Sequence, residues 1–234
     1  VSEYYEEYSK RKAMTHVWSA DSKVSNDSLY KNHIKPAFGD IPLIKLKRDT
    51  YELFINKKLT KLRRKSVKSI HVMFMAMLND AVYNGIIERN RLQRVFLGDS
   101  VLPAKDKRVS LKDYQTWMDA AEKILNKYEF SMVYLCVFGL RRGEVCGIRP
   151  SVVSYDDHPE LATVHVADSR TQQTARNGKG GVKSPTSDRY VVLDRKGTNA
   201  LEYLIKEAKE IKKDYGEILH KDDFLLLNPA SGQP

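Results

Sequence analysis

The sequence predicts two domains: an all-helical, strongly basic domain over residues 1–97 and a mixed α/β domain, mainly helical, over residues 109–234. Three observations carry this. Apolar residues recur at helical spacing through the first part, most clearly over 66–84, where Val67, Ile70, Phe74, Met77, Leu78 and Ala81 share one face. Beyond residue 150 the period changes, and Leu161–Val166 and Arg189–Leu193 read as short strands separated by polar, Gly-rich sequence. Charge is divided in the same way. Residues 1–97 hold 19 Lys/Arg against 10 Asp/Glu, and residues 98–234 hold 21 against 20, although the whole chain carries +10.

Four helical patterns fill the first domain. Residues 2–13 are rich in Tyr and Glu. Residues 21–35 open on Asp21-Ser22, a suitable N-cap, and are expected to end before Pro36. A turn over Pro36–Leu43 leads to a short helix near Asp49 that bears Tyr51, Leu53, Phe54 and Ile55. Helix 66–84 closes at Gly85, and its Met73, Met75 and Met77 read as core filling rather than a cofactor groove. Residues 98–108 read as a linker. Helices then follow at about 110–125 and 129–138, with a further one ending near Pro150. After the two strands a helix spans 197–213, with Ala200, Leu201, Leu204, Ile205, Ala208 and Ile211 on one face, and Phe224–Leu227 forms a last strand or a buried extended segment.

Two stretches carry candidate chemistry. Lys57, Lys58, Lys61, Arg63, Arg64, Lys65 and Lys68 form a run of seven cations without an acid, which suits a polyanion held by the basic half. The run Gly139-Leu140-Arg141-Arg142-Gly143-Glu144 follows the apolar Met132–Phe138. It delivers two guanidiniums at the end of a helix expected to be buried. Arginine is poorly suited to burial, but its planar fork matches paired phosphate oxygens, so this turn is expected to meet an anion. Cys136 and Cys146 are expected to be reduced core thiols. The six histidines show no metal-ligand spacing, Gly178–Gly181 lacks the Lys-Ser/Thr ending of a phosphate loop, and no serine nucleophile elbow is present. No apolar stretch is long enough to cross a bilayer.

At four places the chain resembles the tyrosine recombinases, specifically the phage and conjugative-transposon integrases. Pro36-Ala37-Phe38-Gly39-Asp40-Ile41-Pro42-Leu43 looks like the turn between the second and third helices of their core-binding domain. Ala81-Val82-Tyr83-Asn84-Gly85-Ile86-Ile87 resembles the close of its fourth helix, with Asn90-Arg91 where Asn-Pro is usual. Phe138-Gly139-Leu140-Arg141-Arg142-Gly143-Glu144 is similar to the first catalytic box, with Phe138 where Thr is common. Lys183-Ser184-Pro185-Thr186-Ser187-Asp188-Arg189-Tyr190 resembles the β-hairpin that carries the catalytic lysine.

The resemblance implies a SAM-like four-helix core-binding domain followed by the N-terminal part of an integrase catalytic domain with a small antiparallel sheet. It implies site-specific recombination, the integration or excision of a mobile element, through a 3′-phosphotyrosine intermediate and without a cofactor or metal. Arg141 matches the first catalytic arginine, Glu144 a residue that orients it, and Lys183 the hairpin general acid, with Lys179 as its rival. Arg142 fits a surface or phosphate-contacting role, and Arg189 a strand residue supporting the loop. The implied partner is double-stranded DNA at attachment or core sites, with a homotetramer on DNA in the full-length protein and possible accessory DNA-bending proteins. The implied location is the cytoplasm of a bacterial host, at the nucleoid. The family's second box and its tyrosine are not found: His220 is followed by Lys221-Asp222-Asp223, and none of the thirteen tyrosines has the right context. The chain is therefore expected to be a fragment that binds DNA, is monomeric in solution and cleaves nothing alone. The alternative is a non-enzymatic DNA-binding or architectural protein on the same fold.

Overall fold

The computed structural model describes residues 1–155, 160–171 and 187–234, which separate into two units, Val1–Lys107 and Arg108–Pro234. In the first unit, helices α1 (Ser2–Met14), α2 (Ala20–Leu29), α3 (Lys35–Phe38), α4 (Arg48–Leu59) and α5 (Arg64–Tyr83) share one apolar core. The α5 stripe of Val67, Ile70, Phe74, Met77, Leu78 and Ala81 is fully buried, and the Phe74 ring lies 5.6 Å from Tyr51 of α4 and 5.8 Å from Phe38. Met73 and Met77 are buried in this core and Met75 packs against it.

Helix α1 contributes Tyr4, Tyr5 and Tyr8 to the interior. A buried phenol needs a hydrogen-bond partner. Tyr5 Oη donates to Asp27 Oδ1 at 2.9 Å and Tyr4 Oη to Asp80 Oδ2 at 2.7 Å, while the Tyr5 ring stacks on Tyr30 at 3.7 Å.

Contrary to the sequence reading, the chain does not leave the helix before Pro36. Tyr30–Ile34 form a π-helical turn that passes directly into α3, with Pro36 in its first turn. The wider turn shifts the hydrogen-bond register, and a proline in a first helical turn lacks only an N–H that would have no intrahelical partner. The segment after α5 is tied back to the helices. Asn90 Nδ2 donates to Asn79 Oδ1 at 2.8 Å and Ser100 Oγ to the Leu62 carbonyl at 2.7 Å, and Ile87, Leu92 and Val95 are buried.

The second unit contains α6 (Leu111–Ile124), α7 (Lys127–Leu135), a short 3-10 turn at Cys136–Phe138, α8 (Arg142–Cys146), strands β1 (Val153–Ser154), β2 (Thr163–Val166) and β3 (Arg189–Val192), and α9 (Arg195–Asp214). The sheet is antiparallel in the order β1-β2-β3, with Val166 opposite Arg189 and His165 opposite Tyr190. Asp194 caps α9 through Gly197 N at 2.6 Å, and Leu201, Leu204 and Ala208 of α9 share a core with Leu135 of α7 and Val164 of β2. Phe224–Leu227 is not a strand and bends at Leu225. Leu225–Leu227 are buried and Leu225 N donates to the Ile148 carbonyl at 2.9 Å.

Two expectations fail around α7. The apolar run is not buried all round: Leu135 is, Met132 and Phe138 are only partly covered, and Val137 is 44% exposed. Both cysteines are free thiols; Cys146 is half-buried against the core, whereas Cys136 is exposed, so the core reading fails for Cys136. The cause is geometric. A helix packed along one side buries only the roughly three to four residues per two turns that face its neighbours, whatever the hydrophobicity of its other faces.

Candidate active site

Where the 3-10 turn ends, Gly139 takes φ +79, a left-handed conformation that an L side chain adopts only with strain. This reversal sends Leu140 into the core and leaves Arg141 extended as the residue that opens α8. Glu144, three residues on, folds back over the helix start. Its Oε2 accepts from Arg141 N at 2.8 Å, and its Oε1 from Arg141 Nη1, also at 2.8 Å. From the neighbouring strand, Arg189 Nη2 donates to Glu144 Oε2 at 2.8 Å and to the Gly139 carbonyl at 3.0 Å, while its Nη1 reaches the Ser187 carbonyl at 3.2 Å.

One buried carboxylate thus joins two guanidiniums. The Glu144 side chain is 4% exposed and that of Arg141 72%. Burial alone would raise the Glu144 pKa, but the hydrogen bonds from Arg189 and Arg141 outweigh it and bring the value down to about 2. The carboxylate is therefore charged at any physiological pH and serves as an anchor rather than a proton carrier. Two cations share one anion, and the surplus positive charge sits on the exposed fork of Arg141. Arg142 is exposed as well.

Close packing fixes α8 from behind. A Cβ on Gly143 would lie 2.6 Å from Ser169 Oγ, and one on Gly147 would lie 3.0 Å from the Asp168 carbonyl oxygen. Arg170 N donates to the Gly143 carbonyl at 2.8 Å. Arg149 pairs with Asp168, and Arg149 and Arg170 each lie over the Phe224 ring, at 4.5 and 4.7 Å. The sequence reading did not give Arg189 a place at this carboxylate. Its only signal was a cation in a half-buried strand, at a position that alternation directs to one side of the sheet. Lys183 and Lys179 lie outside the described residues.

The α4–α5 boundary divides the basic run between two depressions. Lys57, Lys58 and Lys61 line a depression of about 230 Å³ with His33, and Lys58 Nζ donates to His33 Nδ1 at 3.3 Å. Lys65 and Lys68 line a separate depression beside Trp18. Arg63 and Arg64 bind backbone instead: Arg63 Nε donates to the Pro103 carbonyl at 3.2 Å, and Arg64 to the Gly98 and Leu97 carbonyls at 3.2 and 3.3 Å. Among the described residues, no group of three or more His, Cys, Asp or Glu could hold a metal ion, and no helix is long and apolar enough to cross a membrane.

Residues 1–59 match the family described as phage integrase, N-terminal SAM-like domain. Among solved structures, the chain is similar to the Tn1549 transposon integrase in complex with transposon right end DNA, with a TM-score of 0.70 and 16% identity over 96% of this chain and 71% of that one. It is also similar to a lambda integrase dimer bound to a COC′ core site (TM-score 0.62, 17% identity, 91% and 70% covered) and to a lambda integrase tetramer bound to a Holliday junction (TM-score 0.62, 17% identity, 94% and 61% covered). The chain has the integrase fold. The resemblance drawn from four short motifs therefore holds for the architecture of the chain, and the mainly helical make-up with a small antiparallel sheet is that of the integrases. No curated protein matches the sequence significantly.

Proposed function

We propose that the chain is the DNA-engaging and phosphate-activating part of a site-specific tyrosine recombinase that integrates or excises a mobile element. The integrase-family domain and the integrase fold both support recombination as the broad function. One observation carries the finer reading: an exposed Arg141 fork fixed from beneath by the buried, doubly paired Glu144. A purely architectural DNA binder has no need of a rigid guanidinium backed by a buried carboxylate, since mobile surface lysines hold a duplex equally well.

In this reading a tyrosine hydroxyl attacks a backbone phosphorus, the P–O bond to the 5′-oxygen breaks, and a 3′-phosphotyrosine forms. Arg141 meets the non-bridging oxygens, where negative charge grows in the transition state, and fixed donors there contribute several kcal/mol. Glu144 orients Arg141, and Arg189 holds Glu144. Lys183, or its rival Lys179, protonates the leaving 5′-oxygen. None of the thirteen tyrosines stands in the family's motif context, so these 234 residues by themselves are inferred to bind DNA without cutting it. Lys57, Lys58 and Lys61, with Lys65 and Lys68, are the proposed backbone contacts in the helical unit. Arg63 and Arg64 contribute charge while they hold residues 97–103. The proposed partner is duplex DNA, bound as a homotetramer by the whole protein with accessory bending proteins possible, and the proposed location is the cytoplasm, at the nucleoid.

The test is Arg141→Lys in a protein that includes the nucleophile. DNA affinity is expected to stay within about threefold of the parent, because one cation replaces another. Strand cleavage is expected to fall by a factor on the order of 100 or more, because lysine cannot form the bidentate contact. Cleavage within a few-fold of the parent would remove Arg141 from the chemistry. Failure of the 234-residue chain to bind duplex DNA at low salt would remove the reading altogether.

A further inference from the structure

At the N-terminal end of α4 lies a second concavity, of about 770 Å³, which the basic run does not touch. Its wall carries Lys47, Arg89, Arg91 and Arg94, all exposed, and among the described residues none of the four has a carboxylate partner. The two acids in the same wall are engaged locally: Glu52 Oε1 accepts from Arg48 Nε at 2.8 Å, and Asp49 Oδ1 accepts from Thr50 N at 2.7 Å. Three forks and an ammonium thus line a hollow whose wall also holds the Arg48–Glu52 pair and the carboxylate of Asp49, so cations outnumber anions there.

The backbone beneath this wall is held under strain. Arg94 has φ +60, a left-handed conformation that a non-glycine residue adopts at a cost. Arg48 holds it there, with Nη2 donating to the Arg94 carbonyl at 2.9 Å and Nη1 to the Gln93 carbonyl at 3.4 Å. Asn90 Oδ1 accepts from Leu92 N at 2.9 Å, and the buried Leu92 and Val95 fix both ends of the loop. These contacts fix the backbone from which the exposed Arg89, Arg91 and Arg94 project.

We propose that Lys47, Arg89, Arg91 and Arg94 form a second contact for the phosphodiester backbone of duplex DNA, at the end of α4 opposite Lys57, Lys58 and Lys61. The inference rests on the DNA-binding reading above and extends it to residues outside the basic run. A twelve-residue helix is about 18 Å long at 1.5 Å per residue, which is close to five base pairs along a duplex axis. The two patches lie on opposite sides of α4, where Arg48, Asp49 and Glu52 face away from Phe54, Lys57 and Lys58 at about 100° per residue, so each would meet the phosphodiester backbone separately. Planar forks match paired oxygens of phosphate and carboxylate alike, and the DNA-binding reading of the surrounding domain selects phosphate here.

The experiment uses the 234-residue chain and a labelled duplex of arbitrary sequence, with anisotropy followed across a salt series. In Arg89→Gln/Arg91→Gln/Arg94→Gln, affinity is expected to fall on the order of 10- to 100-fold and the log–log salt slope to become shallower by about 2 to 3, at roughly 0.9 per phosphate contact. Arg94→Gly gives an independent check. Relief of the left-handed strain should keep or raise Tm while affinity falls, a split that a structural role for Arg94 would not produce. Unchanged affinity and slope in the triple variant, with the parent binding normally, overturn this inference and leave the function reading intact. A parent chain that does not bind DNA overturns both. Saturable binding of inorganic phosphate that the triple variant loses, combined with an unaltered DNA slope, identifies a small-anion pocket and also overturns the proposal.

Discussion

Glu144 has almost no contact with water, yet it carries a full charge that two arginines compensate. Removing a carboxylate from such a pair costs more than the pair itself contributes, because the partners lose their acceptor. Glu144→Gln should therefore lower stability by about 1 to 3 kcal/mol, a figure moderated by the exposure of Arg141, and equilibrium denaturation checks this. The pH dependence has a definite sign. The folded-state pKa lies at about 2, below its unfolded value, so the stabilisation is fully present above about 4.5 and disappears as pH falls toward 2. In Glu144→Gln that acid limb of the stability curve should flatten. Position 144 was legible as a partner for Arg141 from its spacing alone. Its second partner was not, because Arg189 is 45 residues away and only sheet register brings it there.

At the scale of elements, the 3-10 turn before Gly139 is seated on α9 through a contact that leaves no spare room. A Cβ on Gly197 would lie 2.6 Å from Phe138 Cε2 and 3.2 Å from Leu193 Cβ. Gly197→Ala should therefore destabilise by about 1 to 3 kcal/mol despite alanine's better helix propensity. Phe138→Thr should suppress most of that penalty, since the ring causes the clash. Thermal melts of the two single variants and the double variant measure the coupling. Additive effects would show that the ring and the glycine are independent. Most elements could be read from periodicity, and α5 and α9 were clearest because each keeps one strong apolar face. The π turn at Tyr30–Ile34 was not legible. Proline chemistry argues for a stop at residue 35, and only packing of Ile34 and Phe38 into the core makes continuation the better choice. The partial exposure of α7 was hidden for a related reason: composition reports hydrophobicity, whereas burial depends on which faces find neighbours.

At the scale of the whole molecule, charge and acid sensitivity set the conditions under which the protein can be studied. His33 has its pKa lowered by burial and then by Lys58, and His71, hydrogen-bonded to the buried Tyr51, is lowered by burial. The unfolded chain takes up these protons first, so stability should decline as pH drops below about 6.5, the ordinary histidine value. His33→Gln/His71→Gln should shorten that decline, and Tm measured at neutral and mildly acid pH in both proteins decides it. An equal loss in the variant would place the acid sensitivity elsewhere. The charge division between 1–97 and 98–234 was visible in the sequence. The partition of the basic cluster by a helix boundary, and the second arginine group at the far end of α4, were not, since both depend on how α4 and the 89–103 segment run beside each other.

The fixed fork of Arg141 also bears on the choice of buffer. Glu144 holds its guanidinium in alignment, so tetrahedral oxyanions from solution should settle there with little reorganisation. Sulfate or vanadate should then compete with DNA more strongly than chloride at matched ionic strength, and Arg141→Lys should lose most of that difference. On the proposed function, duplex affinity measured in ammonium sulfate should accordingly fall below that measured in chloride at matched ionic strength.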